Sequence, residues 1–183
     1  SVGITQRSFV RTVEELEKQV NYINNIYRQP ALVEEYIGGR EFNVSILGNE
    51  EPVVLPISEI IFEFESDYKI VDYAAKWLKD SDEYIRTKPR CPANLSEELR
   101  SGIEEVSLKA YKALGCRDYA RIDIRLEDKS GIPYVLEVNP NPDISPESGF
   151  VRSLKASGMS FEDFIARIIY FAISRACKSS QHL

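Results

Sequence analysis

At 183 residues, with 43% hydrophobic and 28% charged side chains, the chain has the composition of a packed globular domain, or of one domain and part of a second. A net charge of −6 excludes a sequence-independent nucleic-acid binder, which needs a basic face to displace counterions from phosphates. Cys91, Cys116 and Cys177 are scattered, with no CxxC pair, which excludes a disulfide framework or zinc site and fits reduced thiols in the cytoplasm. The longest apolar stretch, Phe164 to Cys177, is broken by Arg167, Ser174 and Arg175, short of the roughly 20 residues that span a bilayer, so no membrane partner is expected. No basic segment followed by an apolar run opens the chain, and a start at Ser1 without a methionine is read as a processed or partial chain.

In chain order, Thr12 and Glu15 have the spacing of a capping box, and Val13, Leu16, Val20, Ile23 and Tyr27 recur as one face of a helix that Pro30 stops. Two strands are expected next, Ala31–Ile37 and Arg40–Leu47, with Gly38–Gly39 as the turn between them. Val53–Ile57 and Glu59–Phe64 read as further strand. Residues 65–92 read as a long loop with short helical pieces. Ser96 caps a second helix with Leu99, Ile103, Val106, Ala110 and Leu114 as its stripe and Gly115 as its stop. Ala120–Leu126 and Pro133–Asn139 form the clearest strand pair, and Ser160 with Asp163 opens a last helix running to about Cys177. The tail is polar, and His182 within it carries no assigned role.

The strand pair carries the chemistry. Alternation places Ala120, Ile122, Ile124 and Leu126 on one face and Arg121, Asp123 and Arg125 on the other. In the second strand Tyr134, Leu136 and Val138 share a face, leaving Val135, Glu137 and Asn139 opposite. A fold-back centred on residue 130 sets Asp123 directly across from Glu137, a like-charge pair that a cation between them would relieve. Two carboxylates and an amide oxygen, without histidine or thiol, suit Mg²⁺ or Mn²⁺. Arg121 on the same face adds a fixed positive charge toward a phosphate. The same alternation is what a solvent-facing hairpin shows, and the residues alone leave both readings open.

Arg121–Ile122–Asp123, followed by Leu136–Glu137–Val138–Asn139–Pro140–Asn141–Pro142, resembles the metal-binding strands of ATP-grasp enzymes, specifically the D-alanine–D-alanine ligase group. Three further stretches match in order. Val33–Glu34–Glu35–Tyr36–Ile37 with Gly39–Arg40–Glu41–Phe42 and Val44–Ser45–Ile46–Leu47–Gly48 resembles the adenosine-binding strand-turn-strand. Asp72–Tyr73–Ala74–Ala75–Lys76–Trp77 resembles the loop whose lysine meets the phosphates. Gly158–Met159–Ser160–Phe161 resembles the start of the C-terminal helix. The resemblance implies an α+β, ATP-grasp fold, a mixed or antiparallel sheet with flanking helices, lacking the N-terminal domain. Residues 1–41 would be part of the central ATP-binding lobe and residues 42–183 the C-terminal lobe with the metal site.

By that resemblance Glu34, Glu35, Tyr36 and Ile37 would meet adenine, Glu41 the ribose hydroxyls and Lys76 the phosphates. Asp123, Glu137 and Asn139 would hold two Mg²⁺ (or Mn²⁺) ions, with Glu137 bridging them. Arg121 would steady the transferring phosphate and the tetrahedral intermediate, and Ser148 is retained as a catalytic-site serine. Ser1–Val2–Gly3 resembles the end of the loop that closes over the phosphates. Taken singly, Lys76 reads as a surface lysine and Glu34 and Glu35 as a solvated strand edge, while Tyr36 reads equally as packing or as stacking on a base. The implied activity is an ATP- and Mg²⁺-dependent carboxylate–amine ligase acting through an acyl phosphate on small amino-acid substrates, inactive as this piece alone and forming a homodimer through the missing domain. The alternative is a related nucleotide-binding module without catalysis.

Two positions depart from the pattern. Asp143 stands where D-alanine ligases place a glycine, and Glu147 where they place a histidine. Extra acids there are expected to repel an acceptor's carboxylate and to favour a cationic or amidated acceptor if Asp143 faces the pocket.

Overall fold

A computed structural model describes residues 4–66 and 68–180 of the chain; the resembling segment Ser1–Gly3 and His182 lie outside the described residues. Two compact units are present, Ser1–Gly38 with Ile61–Lys88, and Gly39–Ile60 with Pro89–Leu183.

In the first unit, helix α1 (Val13–Tyr27) begins on the expected capping box. Glu15 N–H donates to Thr12 Oγ1 at 3.2 Å, and the Glu15 carboxylate accepts from Thr12 N–H at 3.4 Å. The expected strand at residues 31–37 does not form. A strand needs a partner ladder, and these residues have none among the described residues, leaving Leu32 and Val33 exposed. Tyr36 packs instead of running in a sheet: its ring meets Phe9 edge-on at 5.0 Å, and its hydroxyl accepts the Lys69 N–H at 2.8 Å. Residues 65–92 hold helix α2 (Tyr73–Trp77), capped by Asp72, and helix α3 (Asp82–Ile85), capped by Ser81.

The remaining elements are β1 (Gly39–Leu47), β2 (Val53–Val54), β3 (Ser58–Phe62), β4 (Thr87–Arg90), α4 (Glu97–Ala113), β5 (Tyr119–Glu127), β6 (Pro133–Asn139), α5 (Gly149–Ala156) and α6 (Phe161–Ser180). The sheet runs β4-β3-β1-β5-β6, with β2 also paired to β1. β1 pairs antiparallel with β2, β3 and β5, and β5 pairs antiparallel with β6.

One face of β1 and β5 is the core. Phe42, Val44, Ile46, Ala120, Ile122 and Ile124 are fully buried there against Ile103 and Tyr111 of α4. The α4 stripe ends one residue earlier than expected. The helix stops at Ala113, Gly115 follows in the left-handed region at φ 62°, and Leu114 turns outward while Tyr111 takes the inward position. At the Leu47–Tyr119 end of the opposite face a second apolar cluster forms from Leu47, Phe150, Val151, Leu154 and Phe164. This cluster anchors α5, a helix that the sequence reading missed. It is two turns long, and a glycine occupies its first position, which weakens the helical signal.

Two glycines fix local approach. A Cβ on Gly39, at φ 143°, would sit 2.0 Å from the Leu126 carbonyl oxygen, so only glycine starts β1 beside β5. A Cβ on Gly149 would sit 3.2 Å from Asn43 Oδ1, so α5 packs closely on β1.

Candidate functional site

The opposite face of the sheet is polar. Its occupants follow from the antiparallel register: Asn43 pairs with Ser58 of β3 and with Asp123 of β5, and Asp123 pairs with Glu137 of β6. One row of side chains therefore crosses four strands, Ser58, Asn43, Asp123, Glu137. A second row sets Ser45 beside Arg121 and Arg121 beside Asn139, and a third sets Glu41 beside Arg125. The expected opposition of Asp123 and Glu137 is present.

The alternation expected for β6 breaks one residue later. A register shift after Asp123 pairs Ile124 with Val135, so Leu136 is the extra residue and Val135 shares the face of Ile124. The bulge lies beside the carboxylates, where it re-aims the strand without disturbing the Asp123–Glu137 step.

The polar face is not a solvated hairpin. Asp123 is 7% exposed, Arg125 3% and Glu41 8%. Each buried charge has a partner, as desolvation demands. Arg121 Nε and Nη2 donate to the two oxygens of Asp123 at 2.7 and 2.8 Å. Asn43 Nδ2 donates to Asp123 Oδ1 at 2.8 Å. Asn139 Nδ2 reaches Glu137 Oε1 at 2.9 Å and Asp123 Oδ2 at 3.4 Å. Arg121 Nη2 also lies 3.8 Å from Glu137 Oε1. Glu41 Oε2 lies 3.0 Å from Arg125 Nη2, and Arg125 Nη1 donates to the Gly39 carbonyl at 3.0 Å.

Burial pushes Glu41 up to about 7 despite Arg125, and the charges of Asp123 and Glu137 push the same way. Burial also raises Asp123 against the pull of Arg121, with Glu137 adding to the rise. Glu137 moves down: burial opposes the shift, but hydrogen bonds with Asp123 and Asn139 and the Arg121 charge outweigh it. The two acids share one local field, and the more buried Asp123 is the harder to ionise.

Asp123, Glu137 and Asn139 thus bring hard oxygen donors to one place. Among the described residues no three His, Cys, Asp or Glu side chains are arranged to hold a metal ion, so a cation here would rest on two carboxylates and an amide oxygen. That set fits Mg²⁺ or Mn²⁺, with the Asn139 amide turned to present its oxygen. Asn43 and Arg125 belong to this face but were assigned no role from sequence. Alternation put both on the right side of their strands; their partners lie about 80 residues away, at Asp123 and Glu41.

Ser148 caps α5, its buried hydroxyl accepting the Val151 N–H at 3.3 Å. In the first unit Lys76 is exposed on α2, its ammonium 5.6 Å from the Trp77 ring centroid. Glu34 and Glu35 are exposed, and Tyr36 and Ile37 half-buried. A surface depression of about 540 Å³ lined by Ser157, Met159, Asp163, Arg167 and Tyr170 shares no residue with the polar face.

A family model described as D-ala D-ala ligase C-terminus matches residues 1–170. The chain belongs to the D-ala D-ala ligase C-terminus family. It is similar to the uncharacterized protein y4sG of Sinorhizobium fredii, 39% identical over 162 residues, covering 88% of this chain and 46% of that protein. It is also similar to a D-alanine–D-alanine ligase of Carboxydothermus hydrogenoformans, 39% identical over 173 residues, covering 94% of this chain and 51% of that protein. The crystal structure of D-alanine–D-alanine ligase from Bacillus anthracis complexed with ATP superposes with a TM-score of 0.71 at 26% identity, covering 93% of this chain and 50% of that one. The fold is therefore the ATP-grasp architecture of the D-ala D-ala ligase C-terminus family, and the chain spans about half the length of the curated relatives it matches. No helix among the described residues is long and apolar enough to cross a membrane.

Proposed function

We propose that this chain is the nucleotide- and metal-binding half of an ATP- and Mg²⁺-dependent carboxylate–amine ligase. The observation that carries the reading is the meeting of Asp123, Glu137 and Asn139 beside Arg121 on a buried polar face, in a chain of the D-ala D-ala ligase C-terminus family. Asp123, Glu137 and Asn139 would hold the magnesium. When bound, the metal neutralises phosphate charge and aligns the phosphoryl group for transfer.

The chain's own residues supply position and charge, which phosphoryl transfer mainly requires. A substrate carboxylate attacks the γ-phosphorus of ATP and ADP leaves, giving an acyl phosphate. An amine then attacks the acyl carbon, and the tetrahedral intermediate expels phosphate, which carries away the proton lost from nitrogen as the amide forms. Arg121 spends two donors on Asp123 and retains others of its five for an anionic oxygen as charge shifts. Glu41, paired with Arg125, would meet the ribose hydroxyls. Glu34, Glu35, Tyr36 and Ile37 would meet the adenine, Lys76 the phosphates, and Ser148 the acceptor. ATP as the nucleotide draws support from the ATP complex of the Bacillus anthracis enzyme.

The test is the full-length protein incubated with ATP, Mg²⁺ and a panel of D- and L-amino acids. The reading expects ADP and phosphate to appear only when amino acid and Mg²⁺ are both present, with a dipeptide-mass product. ATP binding without amino-acid-dependent phosphate release would replace it with the non-catalytic nucleotide-binding reading.

A further inference from the structure

Arg152 lies in the first turn of α5, one turn beyond the Ser148 cap, and is half-buried. Its Nη2 donates to the Glu147 carbonyl at 3.0 Å, and its Nη1 to Ser58 Oγ at 3.4 Å. Both partners are neutral. The other arginines on or beside this face each bond a carboxylate: Arg40 to Glu59, Arg121 to Asp123, Arg125 to Glu41. Burial draws the pKa of Arg152 down, against opposing electrostatic contributions from Cys91 and Glu147. A guanidinium has five N–H donors, so this desolvated cation retains several for an anion.

Its position relative to the reacting centre follows from the sheet. Ser58, which Arg152 touches, heads the row that continues through Asn43 to Asp123. Two strand spacings separate Ser58 from Asp123, about 10 Å. That distance accommodates a transferring phosphoryl group, an acyl carbon and an amine nucleophile, with the far end of the nucleophile's own molecule at the arginine. Gly149 packs on Asn43 and Ser148 is adjacent, so α5 presents Arg152 beside the same row.

The expected excess of acid is also answered locally. The Asp143 carboxylate accepts from Ser145 N–H at 2.8 Å and Ser145 Oγ at 3.0 Å, and it lies near enough to Arg121 to add to the field on that guanidinium. Glu147 lies in the field of Arg152. The two acids that suggested repulsion of a carboxylate therefore have two arginines close by.

We propose that Arg152 is a specificity-determining residue that binds the carboxylate of an α-amino-acid acceptor. This rests on the ligase reading and assigns to it a further residue that contacts the second substrate. A planar guanidinium fork matches a carboxylate through two parallel hydrogen bonds, which an amide in its place cannot reproduce.

The test compares wild-type full-length protein with Arg152→Met and Arg152→Lys, using D-alanine and D-alaninamide in binding calorimetry and in acceptor kinetics. Wild type is expected to favour D-alanine by about tenfold or more. Arg152→Met should raise Kd and acceptor KM for D-alanine by a similar factor while leaving the KM for ATP and the weaker D-alaninamide values unchanged, and Arg152→Lys should recover part of the loss. Equal use of acid and amide by wild type, or equal loss of both in Arg152→Met, would overturn the proposal; the latter would make Arg152 a strut for residues 143–148. Arg152-dependent binding of D-alanine without any ligation would count against the ligase reading and leave this inference standing. Ligation without discrimination would do the reverse.

Discussion

Arg121 and Asp123 stand two residues apart on β5 and are joined by a pair of hydrogen bonds at 2.7 and 2.8 Å. The pair is buried, with side-chain exposures of 13% and 10%. Removing one charge leaves the other desolvated and poorly compensated. Asp123→Asn is therefore expected to lower stability by roughly 3 kcal/mol in chemical denaturation, since a broken buried pair costs about that much. A change below about 1 kcal/mol would mean that water or Glu137 compensates Arg121 fully.

Glu41 sets a pH dependence. Its ordinary value is 4.5 and its folded value about 7, so the native state holds a proton that the unfolded chain has released. Stability contributed by this group is full below about pH 4.5 and is lost as pH rises to about 7, at up to ~1.4 kcal/mol per pH unit, or roughly 3 kcal/mol in all. Glu41→Gln lacks this titration. With EDTA present, its stability relative to wild type should improve by about that amount between pH 4.5 and 8. A constant difference across the range would contradict the assignment.

Phe150 holds α5 in place. It is fully buried, with its ring centroid 5.4 Å from that of Tyr119 and 5.2 Å from that of Phe164. Phe150→Ala should cost about 3–5 kcal/mol of stability, read from the urea midpoint, because it removes a fully buried ring from a packed aromatic cluster. A cost near 1 kcal/mol would show that α5 is anchored elsewhere.

The hairpin of β5 and β6 was legible because period-two alternation and a short polar turn specify both faces and register. This is why the opposition of Asp123 and Glu137 follows from the sequence pattern itself. The bulge at Leu136 was not, since one inserted residue leaves no mark on composition. Residues 31–37 carry strand-like residues, but a strand depends on a partner that pattern does not supply. Asn43, Arg125 and Arg152 were overlooked because each acts through a neighbour 80 or more residues distant, at Asp123, Glu41 and Ser58. Local sequence gives a side chain's face; long-range strand pairing decides whom it meets.

Under the proposed function Asp123, Glu137 and Asn139 would hold the catalytic cation. Glu137 is the most accessible of the two carboxylates, with its side chain 59% exposed, so Glu137→Gln changes charge with little effect on packing. The decisive measurement is Mg²⁺-dependent, amino-acid-dependent phosphate release by the full-length protein, wild type against Glu137→Gln. The account predicts a loss of at least about 100-fold, equivalent to roughly 2.7 kcal/mol of transition-state stabilisation, with the melting temperature unchanged. Turnover within twofold of wild type at the same Mg²⁺ concentration would contradict it.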